Sequence, residues 1–509
     1  MMTVKSLLDT LTKNAQIFPE RIAIESETLR LSYFALNNEV DKFSAELLDA
    51  KGIKRLALLM DNNPLWLIVD LACQKSNITL IPLPGFFTAQ QMAHAMKDAG
   101  VQAMLTDDSK YISENFPSYK TSPFKNLMGT GVWFVTTDIV NSSPLFNTSK
   151  VTYTSGTTGT PKGVCLSQEV MDRVADSLVD AVQVCEHDRH LCLLPLAVLL
   201  ENIAGVYAPI LAGSCCVLPS LKDVGMLGAT KFDVNKMLTA IALYKATTVI
   251  LLPQMLLACV EAVRAGAHLP ESLRFIAVGG APVSPSLMQD ARSLSIPVYE
   301  GYGLSECASV VAVNTVRENK PGSVGKVLSH MNVKFKEDGE ILVSGNLYGG
   351  YVGKETFYNE WYETGDLGYL DREGYLFLTG RKKNCFITSF GRNVAPEWVE
   401  RELVMSPLIE QAVIFGEAKP FNVAVLATSE IYSDAEIEQA VLEINKKLPD
   451  YAQVGHWLRA DDYFSVSNEQ MTATGRPRRQ VIWNTYQENI GQLYSDLSNH
   501  TEESRHGIL

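Results

Sequence analysis

A chain of 509 residues exceeds one ordinary hydrophobic core, so two to four domains or subdomains are expected. Its 46% hydrophobic and 20% charged residues make the composition of a soluble globular protein, and a formal charge of −13 argues against a nucleic-acid partner, which needs a basic face. The same charge gives no electrostatic help in docking an acidic carrier protein. The nine cysteines include no C-x-x-C pair, which suits neither a zinc site nor a disulfide framework and points to a reduced, cytoplasmic setting.

In chain order, Met1–Leu8 carries no apolar signal-peptide core. Arg55–Met60 reads as a buried strand, Asn63–Lys75 as a helix capped by Asn62 or Asn63, and Thr79–Leu83 as a second strand. A helix over Thr88–Ala99 with Thr88 as N-cap and a strand over Gln102–Thr106 complete a β-α-β-α-β rhythm, which implies parallel sheet covered by helices. The rhythm resumes with strands at Thr247–Leu252, Phe275–Val278 and Pro297–Tyr299. Leu191–Leu200 and Thr248–Val260 are the longest apolar runs and are too short to span a bilayer, so membrane contact is at most peripheral. Between Gly325 and Tyr375, short alternating strands separated by Gly and Asp turns predict a small β subdomain. After the charged stretch Gly380–Asn384 come a strand and loop (Cys385–Asn393), a helix (Pro396–Val404), a strand (Gln411–Phe415) and a helix (Ser433–Lys447). These predict a small α+β lid, with the boundary near Lys383–Asn384: residues 1–383 form the large domain and 384–509 the lid. The polar tail is expected to fray from about Ser498.

The stretch Thr154-Ser-Gly-Thr-Thr-Gly-Thr-Pro-Lys-Gly163 joins two apolar strands, Lys150–Tyr153 and Val164–Leu166. Its glycines allow tight turns whose N–H groups converge on an anion. Thr154, Ser155, Thr157 and Thr158 add hydroxyl donors and Lys162 a positive charge. This is a polyphosphate cradle, but not the Walker loop, because Gly163 rather than Ser or Thr follows Lys162. Tyr299-Glu-Gly-Tyr-Gly-Leu-Ser-Glu306 is the second signal: an aromatic ring fit to stack on adenine, then a hydroxyl and a carboxylate of the kind Mg²⁺ prefers. Gly279-Gly-Ala-Pro282 is a small-residue turn that a planar group can approach. Asp366 and Arg381 offer a carboxylate and a guanidinium to sugar hydroxyls.

The decapeptide closely resembles the signature of the adenylate-forming superfamily, which contains acyl-CoA synthetases, peptide-synthetase adenylation domains and luciferases. Tyr302–Glu306 resembles that family's Tyr-Gly-x-Thr-Glu motif, with Ser305 in place of Thr. The resemblance implies an α/β fold with a large N-terminal domain of parallel-type subdomains and a mobile lid. It places Thr154, Ser155, Gly156, Thr157, Thr158, Gly159 and Lys162 on the β- and γ-phosphates of ATP. It places Glu300, Gly301, Tyr302 and Gly303 around the adenine, Ser305 near the α-phosphate, and Glu306 on magnesium. Gly280, Ala281 and Pro282 would line the adenine and the acyl tunnel, Asp366 and Arg381 would hold the ribose, and Gly391 would let a pantetheine arm pass. Asn384 sits at the implied hinge.

Two positions depart from the pattern. Leu194–Asn202 resembles a long-chain synthetase stretch, with Val198 where a histidine usually stands beside the substrate carboxylate. Met471–Arg479 offers Arg476 where the family carries a catalytic lysine, and no lysine occurs after Lys447. Arginine keeps the charge but is a planar fork, so the exchange is not conservative at a tight site. With Lys162, Ser305 and Arg476 as the catalytic set, the resemblance implies an ATP- and Mg²⁺-dependent ligase. It would activate a medium- or long-chain carboxylate as acyl-AMP, release pyrophosphate, and pass the acyl group to coenzyme A. The rival acceptor is the phosphopantetheine of an acyl-carrier protein. An aryl or amino-acid adenylation enzyme would differ only in the acyl pocket. The reading from another class is an adenylation-weakened protein that binds nucleotide or acyl-adenylate.

Overall fold

The computed structural model describes residues 4–49, 52–127, 130–137, 139, 145, 147–154, 161–226, 232–281, 283, 285–357, 359–390, 392–472 and 476–503. The sequence's alternation of apolar runs and amphipathic segments folds into two large sheets. In the eight-stranded sheet, Arg55–Leu59 pairs in parallel with Thr79–Pro82 and Ala103–Thr106, as the β-α-β rhythm predicts. The helix Pro64–Lys75 is capped by Asn63, whose side chain accepts from the Trp66 N–H, and Thr88 makes a full capping box with Gln91 on Ala89–Ala99. The strands Lys150–Thr154 and Lys162–Leu166 form an antiparallel hairpin in this sheet, and residues 155–160 at its tip lie outside the described residues.

The nine-stranded sheet runs in parallel through Ile22–Glu25, Cys215–Val217, Arg189–Leu191, Thr248–Leu251, Phe275–Val278 and Val298–Leu304. Its last parallel strand is longer than the sequence suggests. Gly301, Tyr302 and Gly303 lie on it rather than in a turn, paired antiparallel with Ser309–Val313. Gly303 makes this possible: a Cβ there would sit 1.6 Å from the Ser309 carbonyl oxygen. The turn comes one step later, as the 3-10 segment Ser305–Cys307.

The predicted β subdomain is a four-stranded antiparallel sheet of Asn332–Phe335, Glu340–Ser344, Tyr362–Leu370 and Leu376–Arg381. Beyond it, the ribbon Phe386–Ile387 with Asn393–Val394 leads to the helix Pro396–Leu403. A three-stranded sheet of Gln411–Phe415, Asn422–Ala427 and Val454–Arg459 follows, flanked by the helix Asp434–Asn445. Of the tail expected to fray from Ser498, residues 498–503 end a 25-residue helix, Arg479–Glu503, and residues 504–509 lie outside the described residues. Its first half packs Ile482, Tyr486 and Ile490 into an apolar cluster with Val413, Val423 and Val425, so the helix is held by tertiary burial rather than by its polar end. No described helix is long and apolar enough to cross a membrane, and all nine cysteines are free.

Candidate active site

Three sets of residues predicted from separate motifs meet along one cleft. The first is strand-borne. Asp366 on Tyr362–Leu370 stands in register with Arg381 on Leu376–Arg381, and Arg381 Nε lies 2.7 Å from Asp366 Oδ1. The other carboxylate oxygen accepts the Tyr302 hydroxyl at 2.7 Å. Asp366 is 5% exposed, so two directed partners offset the cost of burying its charge. Burial, then the charge of Asp366, holds the Tyr302 hydroxyl well above the ordinary phenol range, which keeps it a donor.

The second set gathers on Glu306. Its Oε1 accepts the Tyr351 hydroxyl at 2.6 Å, and its backbone oxygen accepts the Tyr348 N–H at 2.8 Å. Tyr351 belongs to the short strand Gly350–Tyr351, which pairs with Lys162–Leu166, and the Lys162 ammonium lies 5.8 Å from the Tyr351 ring centroid. Tyr351 thus ties the carboxylate of one motif to the lysine of another. The Tyr362 hydroxyl is 3.2 Å from that of Tyr351, and both phenols are raised by burial and then by the charge of Glu306. Sequence reasoning did not find Tyr351. The aromatic density of Tyr348, Tyr351, Phe357, Trp361 and Tyr362 was the signal available.

The third set comes from the C-terminal segment. Gly280 has φ +79°, a conformation that favours glycine, and its carbonyl accepts from Arg476 Nη2 at 3.2 Å. The Arg476 guanidinium keeps accessible surface in the cleft, yet protein atoms crowd it. That loss of water, then the charge of Arg381, lowers its pKa, while Asp366, Glu306 and Glu397 oppose. Lys383, which the sequence reading did not assign to the site, is lowered by loss of water and then by Arg381, Arg476 and Lys162. Four cations therefore repel one another across a cleft that holds the carboxylates of Asp366 and Glu306. A polyanion relieves that repulsion. The loop bearing Arg476 is fixed from both sides: the Arg476 N–H donates to Thr472 Oγ1 at 3.0 Å, and three residues on Arg479 forks onto Glu400, with Nη1 to Oε1 at 2.6 Å and Nη2 on Oε2.

Glu300 lies 9% exposed on the strand leading to Tyr302, and burial pushes its carboxyl up to about 7 against the pull of Arg401 and Arg292. Gly301 stands beside Gly279, whose added Cβ would come within 3.1 Å of the Gly301 carbonyl, so these strand ends approach closely. Thr154 ends its strand at the hairpin tip, Ser305 opens the 3-10 turn, and Ala281 follows Gly280. Ser155, Gly156, Thr157, Thr158, Gly159, Pro282 and Gly391 lie outside the described residues. Asn384 Nδ2 donates to Glu397 Oε1.

Val198 caps the short helix Leu199–Asn202 without a side-chain hydrogen bond. The turn before it is pinned elsewhere: Asn62 donates to the Leu194 carbonyl and accepts from the Leu196 N–H, both at 2.8 Å, and Glu201 accepts the Leu194 N–H at 3.2 Å. Glu201 is itself paired with His190 at 2.9 Å, with Cys192 nearby. All three are buried, and a Cβ on Gly205 would fall 2.4 Å from Glu201 and 2.6 Å from His190, so the cluster is closed packing.

Residues 11–352 match the family model "AMP-binding enzyme", and residues 383–498 match "AMP-binding enzyme C-terminal domain". Among curated proteins, a 2-succinylbenzoate–CoA ligase of Bacillus velezensis is 28% identical over 432 residues, covering 81% of this chain and 85% of that one. A long-chain-fatty-acid–CoA ligase of Mycobacterium bovis is 28% identical over 424 residues, covering 67% and 68%. Among solved structures, the o-succinylbenzoate CoA synthetase of Bacillus subtilis with its acyl-adenylate intermediate superposes with a TM-score of 0.77 at 25% identity, covering 94% of this chain and 98% of that one.

Proposed function

The chain belongs to the AMP-binding enzyme family, and from that premise we propose that it is an AMP-forming acid–thiol ligase working in two half-reactions. One observation carries this reading: Arg476 reaches the Gly280 carbonyl from 196 residues away and stands among Arg381, Asp366 and Glu306. That is where a cation must sit to act on a carboxylate and an α-phosphate held between the two halves.

In the first half-reaction a carboxylate oxygen of the substrate attacks the α-phosphorus of ATP. The bond to the bridging oxygen breaks and pyrophosphate leaves. Tyr302 and Asp366 form the wall on which adenine and ribose rest, with Arg381 orienting Asp366. Lys162 and the Thr154–Gly163 loop take the β- and γ-phosphates, with Ser305 at the α-phosphate. Mg²⁺ fits the oxygen donor of Glu306, which Tyr351 orients, and when bound it neutralises charge developing on the phosphates. Arg476 bridges the two negative groups that must approach, a stabilisation worth about 3–4 kcal/mol of barrier. In the second half-reaction a thiol sulfur attacks the acyl carbon, AMP departs, and the thiol proton is lost.

In this reading residues 1–383 hold the nucleotide and residues 384–509 move as the lid, with coenzyme A as acceptor and acyl-carrier phosphopantetheine as the alternative. The acid is a medium- or long-chain carboxylate, supported by the Leu194–Asn202 stretch and the Mycobacterium relative. An aromatic acid is the second reading, supported by the succinylbenzoate ligases. Acid-dependent exchange of pyrophosphate into ATP, run with C4 to C18 fatty acids beside 2-succinylbenzoate, separates them. No exchange with any acid overturns the ligase reading in favour of a nucleotide-binding protein.

A further inference from the structure

The helix Pro396–Leu403 shows two faces. Val399 and Leu403, four residues apart, are fully buried in the core of the lid. Arg401, two residues from each of these, lies on the other side of the helix, and Met405 stands in the turn just past its end. Met405 packs against the apolar cluster that holds Val283, Leu287 and Met288. Arg401 Nη1 donates to the Val283 carbonyl at 3.0 Å across 118 residues of sequence, and its Nε is buried with no hydrogen-bond partner. A guanidinium placed so is not needed by the lid's own core, and its burial costs free energy that the lid alone does not recover. Of the carboxylates that favour its charge, Glu300, two residues before Tyr302, acts most strongly, ahead of Glu402, Glu397 and Glu400 of its own part. The carbonyl it grips lies three residues from Gly280, where Arg476 lands.

We propose that Arg401 is a positioning residue for adenylation: it fastens the lid to the Gly280–Val283 segment in the orientation that brings Arg476 into the cleft. The role in adenylation rests on the ligase reading; the fastening does not. Arg401 touches no reacting atom. It sets how often the lid occupies this orientation, so its loss moves a population rather than a chemical step. The contact is specific to one lid orientation, because a lid that rotates for thiol transfer withdraws the helix face from Val283 and Glu300.

Two readouts on the full-length chain test this. Tryptic cleavage within Arg381–Lys383, in the absence of substrates, reports release of the lid. Half-reaction rates report its consequence: acid-dependent pyrophosphate exchange against thiolysis of a pre-made acyl-adenylate by coenzyme A. In Arg401→Gln, cleavage accelerates and exchange falls about tenfold, the range of ordinary conformational couplings, while thiolysis stays unchanged. Arg401→Lys, which keeps the charge, recovers most of both. Cleavage at the wild-type rate in Arg401→Gln, or equal loss in both half-reactions, overturns the proposal. Should Arg401→Gln fail to fold, Glu300→Gln removes the facing charge from the other side, and unchanged cleavage there overturns it equally. Wild-type protein that exchanges with no acid refutes the ligase reading, while the cleavage comparison still decides whether Arg401 fastens the lid.

Discussion

The strand-borne half of the cleft and the lid-borne half are built on opposite principles. Asp366 and Arg381 stand in register on paired strands, Tyr302 reaches Asp366 from a strand of the other sheet, and two side-chain bonds of 2.7 Å lock the three together. Arg476 and Arg401 reach across an interface, the first into that cleft and the second beside it, each bonded to a backbone carbonyl, at 3.2 and 3.0 Å. The first half is arranged before any ligand arrives and loses little freedom on binding. The second can be withdrawn without breaking a sheet. The proposed ligase, which presents one nucleotide pocket to two half-reactions, would use that division: a rigid floor and a cation carried on the other part.

The sharpest way to break the comparison is to remove the anchor of the lid half. Arg479→Ala leaves Glu400 buried and unpaired, which is expected to cost the lid about 3–5 kcal/mol. Thermal unfolding should show a lid transition separating from that of the larger part, and a single unshifted transition would deny that the pair holds the lid together. Next in size, Arg476→Ala should lower acid-dependent pyrophosphate exchange by about 10²–10³. Nucleotide affinity, measured by calorimetry, should change little. A parallel loss of nucleotide affinity would show that the two halves are not independent.

The converse change, Asp366→Ala, strips Tyr302 and Arg381 of their shared partner and is expected to weaken nucleotide binding by about 1.5–3 kcal/mol. Its exchange rate at saturating nucleotide should recover more fully than that of Arg476→Ala. His330, a buried histidine just after the strand Lys326–Val327, gives a test by pH. Burial holds its imidazole down to about 4, below the ordinary 6.5, and neither ring nitrogen has a hydrogen-bond partner among the described residues. The folded state keeps the ring neutral while the unfolded chain takes a proton. Stability is therefore full above pH 6.5 and is lost as pH falls toward 4, by about 3 kcal/mol in all. His330→Gln should flatten that limb of the stability curve in urea titrations. The smallest effect belongs to Tyr351→Phe, which deletes one hydrogen bond to Glu306. It should raise the Mg²⁺ requirement for exchange several-fold, at a cost of about 1–2 kcal/mol, with thermal stability nearly unchanged.

The same division explains what could be read in advance. Asn63 and Thr88 announce their helices because a cap is a local contact three residues long, and Arg55–Thr106 announces parallel sheet because its periodicity is local too. The floor of the cleft was legible as three motifs, although the strand expected over Pro297–Tyr299 stopped short of Tyr302. Antiparallel pairing with Ser309–Val313 kept it on a strand, and only the closeness of Gly303 to Ser309 allows that. Tyr351 was missed because it meets Glu306 across 45 residues, on a strand of two residues that leaves no pattern. Lys383, Arg401 and the Arg479–Glu400 fork were missed for a related reason. Charged residues on a lid look like solvated surface until the facing domain is present, and nothing local marks which ones turn inward. The helix Arg479–Glu503 was missed as well, since its polar composition hides the buried stripe of Ile482, Tyr486 and Ile490.

The hairpin of Lys150–Thr154 and Lys162–Leu166 carries two lysines of opposite reactivity on paired strands. Lys150 is fully enclosed, its ammonium bonded to Asp70 at 2.9 Å and Tyr207 at 2.8 Å, whereas Lys162 opens to solvent beside the cleft. An amine-directed reagent therefore reads the two ends of one hairpin as separate clocks. Under the proposed function, modification of Lys162 is expected to slow when nucleotide is added, and so to time occupancy of the cleft. Modification of Lys150 waits for the core to open and times global unfolding. A single mass-spectrometric peptide map spanning the hairpin would record ligand binding and fold integrity in the same sample.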